Sequence, residues 1–260
     1  GGFELKISTA AKDLHSGRFG GAVPNALHVM ATLIASLHNA DGSIAVDGFL
    51  DGVLVPTESE RTAVANLPFD ETAWTESLGS HSQGEYGWST LERLWFRPTV
   101  EINGLWGGYQ GIGAKTVIPC EANAKLTTRL VTGQNPEHIQ RCLQEHLLSH
   151  CPEYATLTFE DQHAWVSAYS VPGDHPLLLA AERALKETTG MTPVRVRIGA
   201  TLPLTDIIRS RLGIDTVMFS FSTADEDYHA PNEFLRLSAI DDGLAAWVRV
   251  LREVGWQYTV

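Results

Sequence analysis

The most constraining feature of this sequence is a set of period-two runs separated by stretches of helical spacing. Phe3 to Ala11 sets Phe3, Leu5, Ile7 and Thr9 against Glu4, Lys6 and Ser8, the alternation of a strand with one buried face. Ala122 to Val131 repeats it, with Ala122, Ala124, Leu126 and Thr128 opposed to Asn123, Lys125, Thr127 and Arg129. Thr99 to Asn103 and Thr156 to Asp161 also read as strands. Between them, Ala26 to His38 places Leu27, Met30, Ile34 and Leu37 at helical spacing, and Ile139 to Leu148 puts Ile139, Leu143 and Leu147 on one face. The order is β-α-β-β-α-β with an insertion, the split βαβ or ferredoxin-like pattern.

The insertion reads as short strand segments over Ile44 to Val55, helices over Thr57 to Leu67, Asp70 to Leu78 and Thr90 to Trp95, and a polar loop over Ser80 to Gly87. Beyond about Trp165 the texture changes. Helices are expected at Leu177 to Thr188, Leu202 to Arg211 and Ile240 to Val254, and strands at Val194 to Arg197 and Thr216 to Phe221. Alternating strands and helices predict a parallel α/β sheet there.

Composition excludes several partners. The 260 residues carry 31 Asp and Glu against 19 Lys and Arg, a formal charge of −12 with no basic run, which argues against nucleic acid and anionic membrane surfaces. With 43% hydrophobic and 19% charged residues the chain has globular rather than disordered usage. Cys120, Cys142 and Cys151 are odd in number and irregularly spaced, so a disulfide framework is not expected and a reducing, cytoplasmic location is. No apolar run reaches the ~18–20 residues that span a bilayer, and Gly1-Gly2-Phe3-Glu4 has no signal-peptide character.

Two constellations carry possible chemistry. Ala224 to Glu233 gathers Asp225, Glu226, Asp227, His229, Asn232 and Glu233 between an apolar run and a helix. It reads either as a solvated acidic loop with helix caps or as one edge of a metal site, which needs three or four protein ligands. Asp13-Leu14-His15-Ser16-Gly17 puts a histidine on a glycine-flanked turn, either as an ordinary turn residue or as a donor to an oxyanion. Gly107 to Thr116 is glycine-rich but lacks the Gly-Lys-Ser/Thr of a phosphate loop. Cys142, His146 and His150 recur at four-residue spacing, read as a helix surface rather than a metal face. His-Glu-x-x-His and Gly-x-Ser-x-Gly are absent.

Together, four strings resemble the M20 metallopeptidases, and the carnosinase-like dipeptidase branch most closely. They are Lys12-Asp13-Leu14-His15-Ser16-Gly17 with Gly20-Gly21 and Pro24-Asn25; Gly113-Ala114-Lys115-Thr116-Val117-Ile118-Pro119; Arg129-Leu130-Val131; and Asp227-Tyr228-His229-Ala230-Pro231-Asn232-Glu233. The resemblance implies a split βαβ lid or dimerisation domain at 1–164 and the C-terminal, incomplete part of a zinc-binding α/β domain at 165–260. It implies that His229 is a metal ligand and that His15 reaches across a homodimer to stabilise the oxyanion in the partner's site. Arg129 would pair with the substrate carboxylate and Thr116 would assist it, while His163 and Thr201 would line the pocket.

In Arg197-Ile198-Gly199-Ala200-Thr201, Ile198 and Ala200 depart from the Glu and Gly usual in that branch. The upstream half of the family pattern, with its His-x-Asp motif, bridging Asp and general-base Glu, is not in this sequence, so Gly1-Gly2 reads as a cut at the edge of the lid. The implied reaction is hydrolysis of a dipeptide or related amide by water held between two Zn2+ ions, with this chain alone inactive. The alternatives are a non-catalytic dimerisation and binding module, or an acetylornithine-deacetylase-like enzyme acting on N-acyl amino acids.

Overall fold

A computed structural model describes residues 1–163, 165–197, 203–223, 226 and 231–257. In chain order the first elements are β1 (Gly2–Ser8), β2 (Leu14–His15), α1 (Ser16–Phe19) and α2 (Ala26–Ala35). The insertion holds α3 (Glu58–Ala65), α4 (Glu71–Leu78) and α5 (Thr90–Phe96). Then come β3 (Thr99–Gly107), β4 (Val117–Ile118), β5 (Glu121–Arg129), α6 (Pro136–His150) and β6 (Thr156–His163), followed by α7 (Pro176–Thr189), α8 (Pro203–Leu212) and α9 (Leu237–Gln257).

Four strands form one antiparallel sheet in the order β3-β5-β1-β6, which is the split βαβ arrangement expected from the sequence. Register follows the alternation: Phe3 opposes Leu126, Leu5 opposes Ala124 and Ile7 opposes Ala122, so one face of β1 and β5 is apolar throughout. That face packs under α2 and α6, where Met30, Leu33 and Leu37 meet Ile139, Leu143 and Leu147 in a single buried cluster. Each such side chain contributes about 1.5–3 kcal/mol by leaving water. Both helices start on asparagine: Asn25 Oδ1 accepts from Leu27 N at 2.9 Å and Asn135 Oδ1 accepts from His138 N at 2.8 Å. β3 runs on to Gly107, with a register shift between Ile102 and Gly104 that carries it past the expected end at Asn103.

The insertion differs from expectation at its start. Over Ile44 to Val55 there is only an isolated bridge, His38 to Ile44, and turns that include Gly48 and Gly52 at positive φ. Short apolar runs broken by glycines in left-handed backbone cannot sustain a ladder. The three helices are present and well capped. Thr57 with Glu60 and Ser89 with Glu92 each form a reciprocal capping box, and Asp70 Oδ1 accepts from Ala73 N.

The described residues form two compact units, one containing Gly1–Ala168 with Arg197, the other Tyr169–Val196 with α8 and α9. In the second unit α7 packs on α9 through Ala181, Ala184 and Val250. The expected strands at Val194 to Arg197 and Thr216 to Phe221 do not form, and no strand occurs among the described residues after His163. A parallel sheet is therefore not found there. A strand needs a neighbour to accept and donate its ladder bonds, and these two runs have none among the described residues.

Candidate functional site

β2 and β4 make a two-residue ribbon that brings His15 and Thr116 together. His15 pairs with Val117, Leu14 pairs with Ile118, and Ser16 N donates to Thr116 O at 3.0 Å. Asp13 anchors the ribbon to the sheet, its Oδ1 accepting from Cys120 N at 3.1 Å. That bond, first among its causes, lowers the Asp13 pKa. Burial, reinforced by the Asp13 charge, pushes the Cys120 thiol up, so it stays protonated and unreactive at neutral pH. The anchoring role of Asp13 is not visible in spacing alone; it depends on Cys120, distant in sequence.

The imidazole of His15 is exposed and polarised by its own backbone. Its Nδ1 accepts from Gly17 N at 3.0 Å, as the N-cap of α1, which assigns the proton of the neutral ring to Nε2. The outward nitrogen is thus a donor. A Cβ at Gly17 would sit 2.9 Å from His15 Cε1, so glycine is needed for the ring to fold over the turn. Beside the ribbon, Val23, Pro24, Val29 and Ile118 line an open cleft of about 660 Å³, with His28, His150 and Tyr154 at its polar rim.

Arg129 and His163 lie elsewhere. Arg129 ends β5, opposite Thr99, and its charge adds to burial in lowering the pKa of the Gly1 amino group to about 6. His163 ends β6 in register with Gly2, which also opposes Thr127; its side chain lies outside the described residues. Both therefore occupy the end of the sheet remote from Cys120 and the ribbon. β5 is nine residues long, so the two ends are separated by on the order of 20 Å or more. Thr116 accordingly stands next to His15 and not next to Arg129.

Thr201 and His229 lie outside the described residues, as do Asp225 and Asp227. Glu226 is described, and it is neither solvated nor turned outward. At 1% exposure its carboxylate accepts from Thr223 N at 3.2 Å and Arg236 N at 3.3 Å and pairs with the Arg236 guanidinium at 3.4 Å. Part of the acidic run is thus structural. Among the described residues no three His, Cys, Asp or Glu side chains converge to hold a metal ion.

The Cys142, His146, His150 face of α6 is occupied by local partners. His146 Nε2 lies 3.0 Å from both Ser36 O and Ser36 Oγ, and His150 Nδ1 lies 2.8 Å from His146 O with the two rings stacked at 4.1 Å. Cys142 Sγ is 3.6 Å from His138 Nε2, which pairs with Asp51 at 2.9 Å. Burial first, then the neighbouring His150, lowers the His146 pKa.

The model for the peptidase dimerisation domain of M20 peptidases matches residues 1–155. A Cys-Gly metallodipeptidase (dug1) of Schizosaccharomyces pombe is 26% identical over 259 residues, 97% of this chain and 54% of that protein. A Beta-Ala-His dipeptidase of Mus musculus is 28% identical over 244 residues, 89% of this chain and 48% of that protein. The solved structure of the di-peptidase Dug1p from Saccharomyces cerevisiae superposes with a TM-score of 0.82 at 25% identity, covering 97% of this chain and 53% of the other. An M20 family metallo-carboxypeptidase from Sulfolobus solfataricus gives 0.78 at 27% identity, covering 97% and 56%. The chain spans about half the length of the curated relatives it matches. Because the dimerisation-domain match takes in β1, β3 and β5 of the sheet, the His15 ribbon and α6, more than half of the chain, this chain belongs to the M20 peptidase dimerisation-domain family.

Proposed function

We propose that this chain is the dimerisation and substrate-recognition part of an M20 metallodipeptidase that works as a homodimer. The observation that carries this reading is the division of the site residues between the two ends of one sheet. A dipeptide reaches about 7 Å, so His15 with Thr116 and Arg129 with His163 can address one substrate only if they come from two protomers. In that arrangement the Nε2–H of His15 donates to the carbonyl oxygen as it becomes an oxyanion. Thr116 lies alongside that donor, Arg129 takes the terminal carboxylate in a bidentate pair, and His163 and Thr201 line the pocket.

The metal belongs to the whole enzyme in this reading, with His229 as the ligand this chain gives. Zinc is proposed because histidine and carboxylate donors suit it; when bound it would polarise the carbonyl and activate water. The described residues do not themselves fit a metal, and the roles given to His15, Thr116 and Arg129 use only hydrogen bonding and charge. Residues 1–164 act as the lid and 165–260 as part of the catalytic domain. The three free thiols and the acidic charge support a cytoplasmic location and the absence of a nucleic-acid partner.

Purified chain incubated with Cys-Gly and β-Ala-His dipeptides and zinc is expected to show no turnover and to retain less than one zinc per chain on dialysis. Chelator-sensitive hydrolysis by this chain alone would falsify its proposed inactivity. A second reading, a binding module with no catalytic role, is favoured by the intact strand and helix pattern of the first unit. Weak, zinc-independent peptide binding that survives His15→Ala would favour that second reading.

A further inference from the structure

We infer that His175 is a proton-operated latch on the start of α7: its neutral ring holds an amide of the helix's first turn, and uptake of a proton releases that amide. The latch lies within the second unit and stands apart from the homodimer and the peptidase reading proposed above.

The cap residue sets it apart from the other helices. α6 opens on Asn135-Pro136 and α7 on His175-Pro176, the same cap followed by a proline that has no N–H of its own. In α7 the His175 Nδ1 accepts from Leu177 N at 3.2 Å, and His175 N closes the turn ahead of the helix by donating to Pro172 O at 3.0 Å. The caps of α2 to α6 are Asn25, Thr57, Asp70, Ser89 and Asn135, none of which changes charge near neutrality. An amide or hydroxyl oxygen accepts at every pH, whereas an imidazole nitrogen accepts only while it is unprotonated. His15 is the other histidine cap, on the single turn of α1.

The second ring nitrogen is also placed. With Nδ1 accepting, the proton of the neutral ring sits on Nε2, which lies 3.5 Å from Asp215 Oδ2. Asp215 is itself fixed: the Tyr169 hydroxyl donates to its Oδ1 at 2.8 Å, and the Arg209 guanidinium pairs with the same oxygen. The Tyr169 oxygen in turn accepts from Thr216 N at 2.9 Å, and Arg209 Cζ stands 5.6 Å from the Tyr169 ring centre. The imidazole is therefore held between a carboxylate and a helix amide, and one neutral tautomer serves both.

Protonation separates these two contacts. An imidazolium turns an N–H toward the Leu177 N–H and sets a positive charge at the positive end of α7. Asp215 and the adjacent Asp174 favour that charge. Arg209 opposes it, as does Arg195, whose Nη1 is 2.9 Å from where a Cβ on Gly173 would stand, although Arg195 pairs with Glu182. The first turn of α7 has no acidic side chain to accept the freed amide. A proton thus strengthens the hold of Asp215 on the ring while it opens the helix start.

The test is amide hydrogen exchange by NMR on the 260-residue chain, with the His175 ring followed in the same samples from pH 7.5 to 5. The protection factor at Leu177 is expected to fall about fivefold as the ring titrates, the loss that goes with removing one cap, while that of His138, capped by Asn135, stays level. His175→Asn should keep Leu177 protected across the whole range, and His175→Ala should leave it poorly protected throughout. Level protection in wild type, a fall that persists in His175→Asn, or no protection at Leu177 even at pH 7.5 would each overturn the latch.

Discussion

In the first unit, Phe3, Leu5 and Ile7 of β1 are sealed beneath α2 and α6, while in the second, Leu237, Leu244 and Leu251 of α9 remain 79%, 67% and 65% exposed. Both segments carry strong apolar periodicity. The first finds its cover within the described residues and the second does not, so periodicity reports the wish to bury a face and not the presence of something to bury it against. Among the described residues of the second unit the buried apolar side chains are Ala180, Ala181, Ala184, Ala246 and Val250, and small side chains contribute little.

The comparison can be broken by mutation. Leu126→Ala, in the middle of β5 and packed in the large cluster, is expected to cost about 2–5 kcal/mol in urea unfolding, through lost transfer energy and a cavity. Leu244→Ala on α9 should change stability by no more than about 0.5 kcal/mol. A cost at Leu244 close to that at Leu126 would mean that α9 is covered in solution.

An intermediate effect is expected within the insertion. Glu92 is buried, and Arg61 Nε donates to its Oε1 at 2.6 Å while Ser89 N donates to its Oε2 at 2.8 Å. Burial alone would raise the Glu92 pKa, but the Arg61 and Ser89 bonds together outweigh it and the net shift is downward. A carboxylate with a depressed folded pKa contributes stability above its unfolded pKa of about 4.5 and loses it as pH falls through the folded value. Glu92→Gln should therefore cost about 1–2 kcal/mol at pH 7 and progressively less in acid, read as the pH dependence of urea unfolding. A constant difference from pH 7 to pH 3 would remove the ion pair from the account.

The smallest effect separates the units by surface. Replacing Leu237, Leu244 and Leu251 together with Gln should reduce binding of an apolar dye while shifting Tm by only a few degrees. Unchanged dye binding would place the exposed apolar surface elsewhere.

Particular residues show how much of the molecule was legible. The alternation in β1 and β5 gave the strands, and apolar spacing placed α2 from Ala26 and α6 from Ile139, three residues after the start that Asn135 caps at Pro136, because periodicity is local. Ile44 to Val55 misled because glycines at positive φ break a run that composition alone would extend. Thr216 to Phe221 misled for a different reason: its apolar character is real, and Phe219 uses it to pack edge-on against Trp247 at 5.1 Å rather than to build a sheet. At the candidate site, the string around His15 was conspicuous, but its tautomer, its closeness to Thr116 and its distance from Arg129 were not. Glu226 read as one acid of a solvated run, yet it is buried.

By itself the sequence determined the four long strands and the main helices of the first unit, the face each one buries and the residues with chemistry to offer. Those properties follow from neighbours three, four or two positions away. Only the tertiary structure decided that His15 and Thr116 share a ribbon while Arg129 ends the far side of the sheet. Strand register and order are long-range choices, made where Leu5 meets Ala124 and where Asp13 finds the amide of Cys120. A sheet fixes distances along its strands rigidly, and that rigidity holds the two ends of one chain apart.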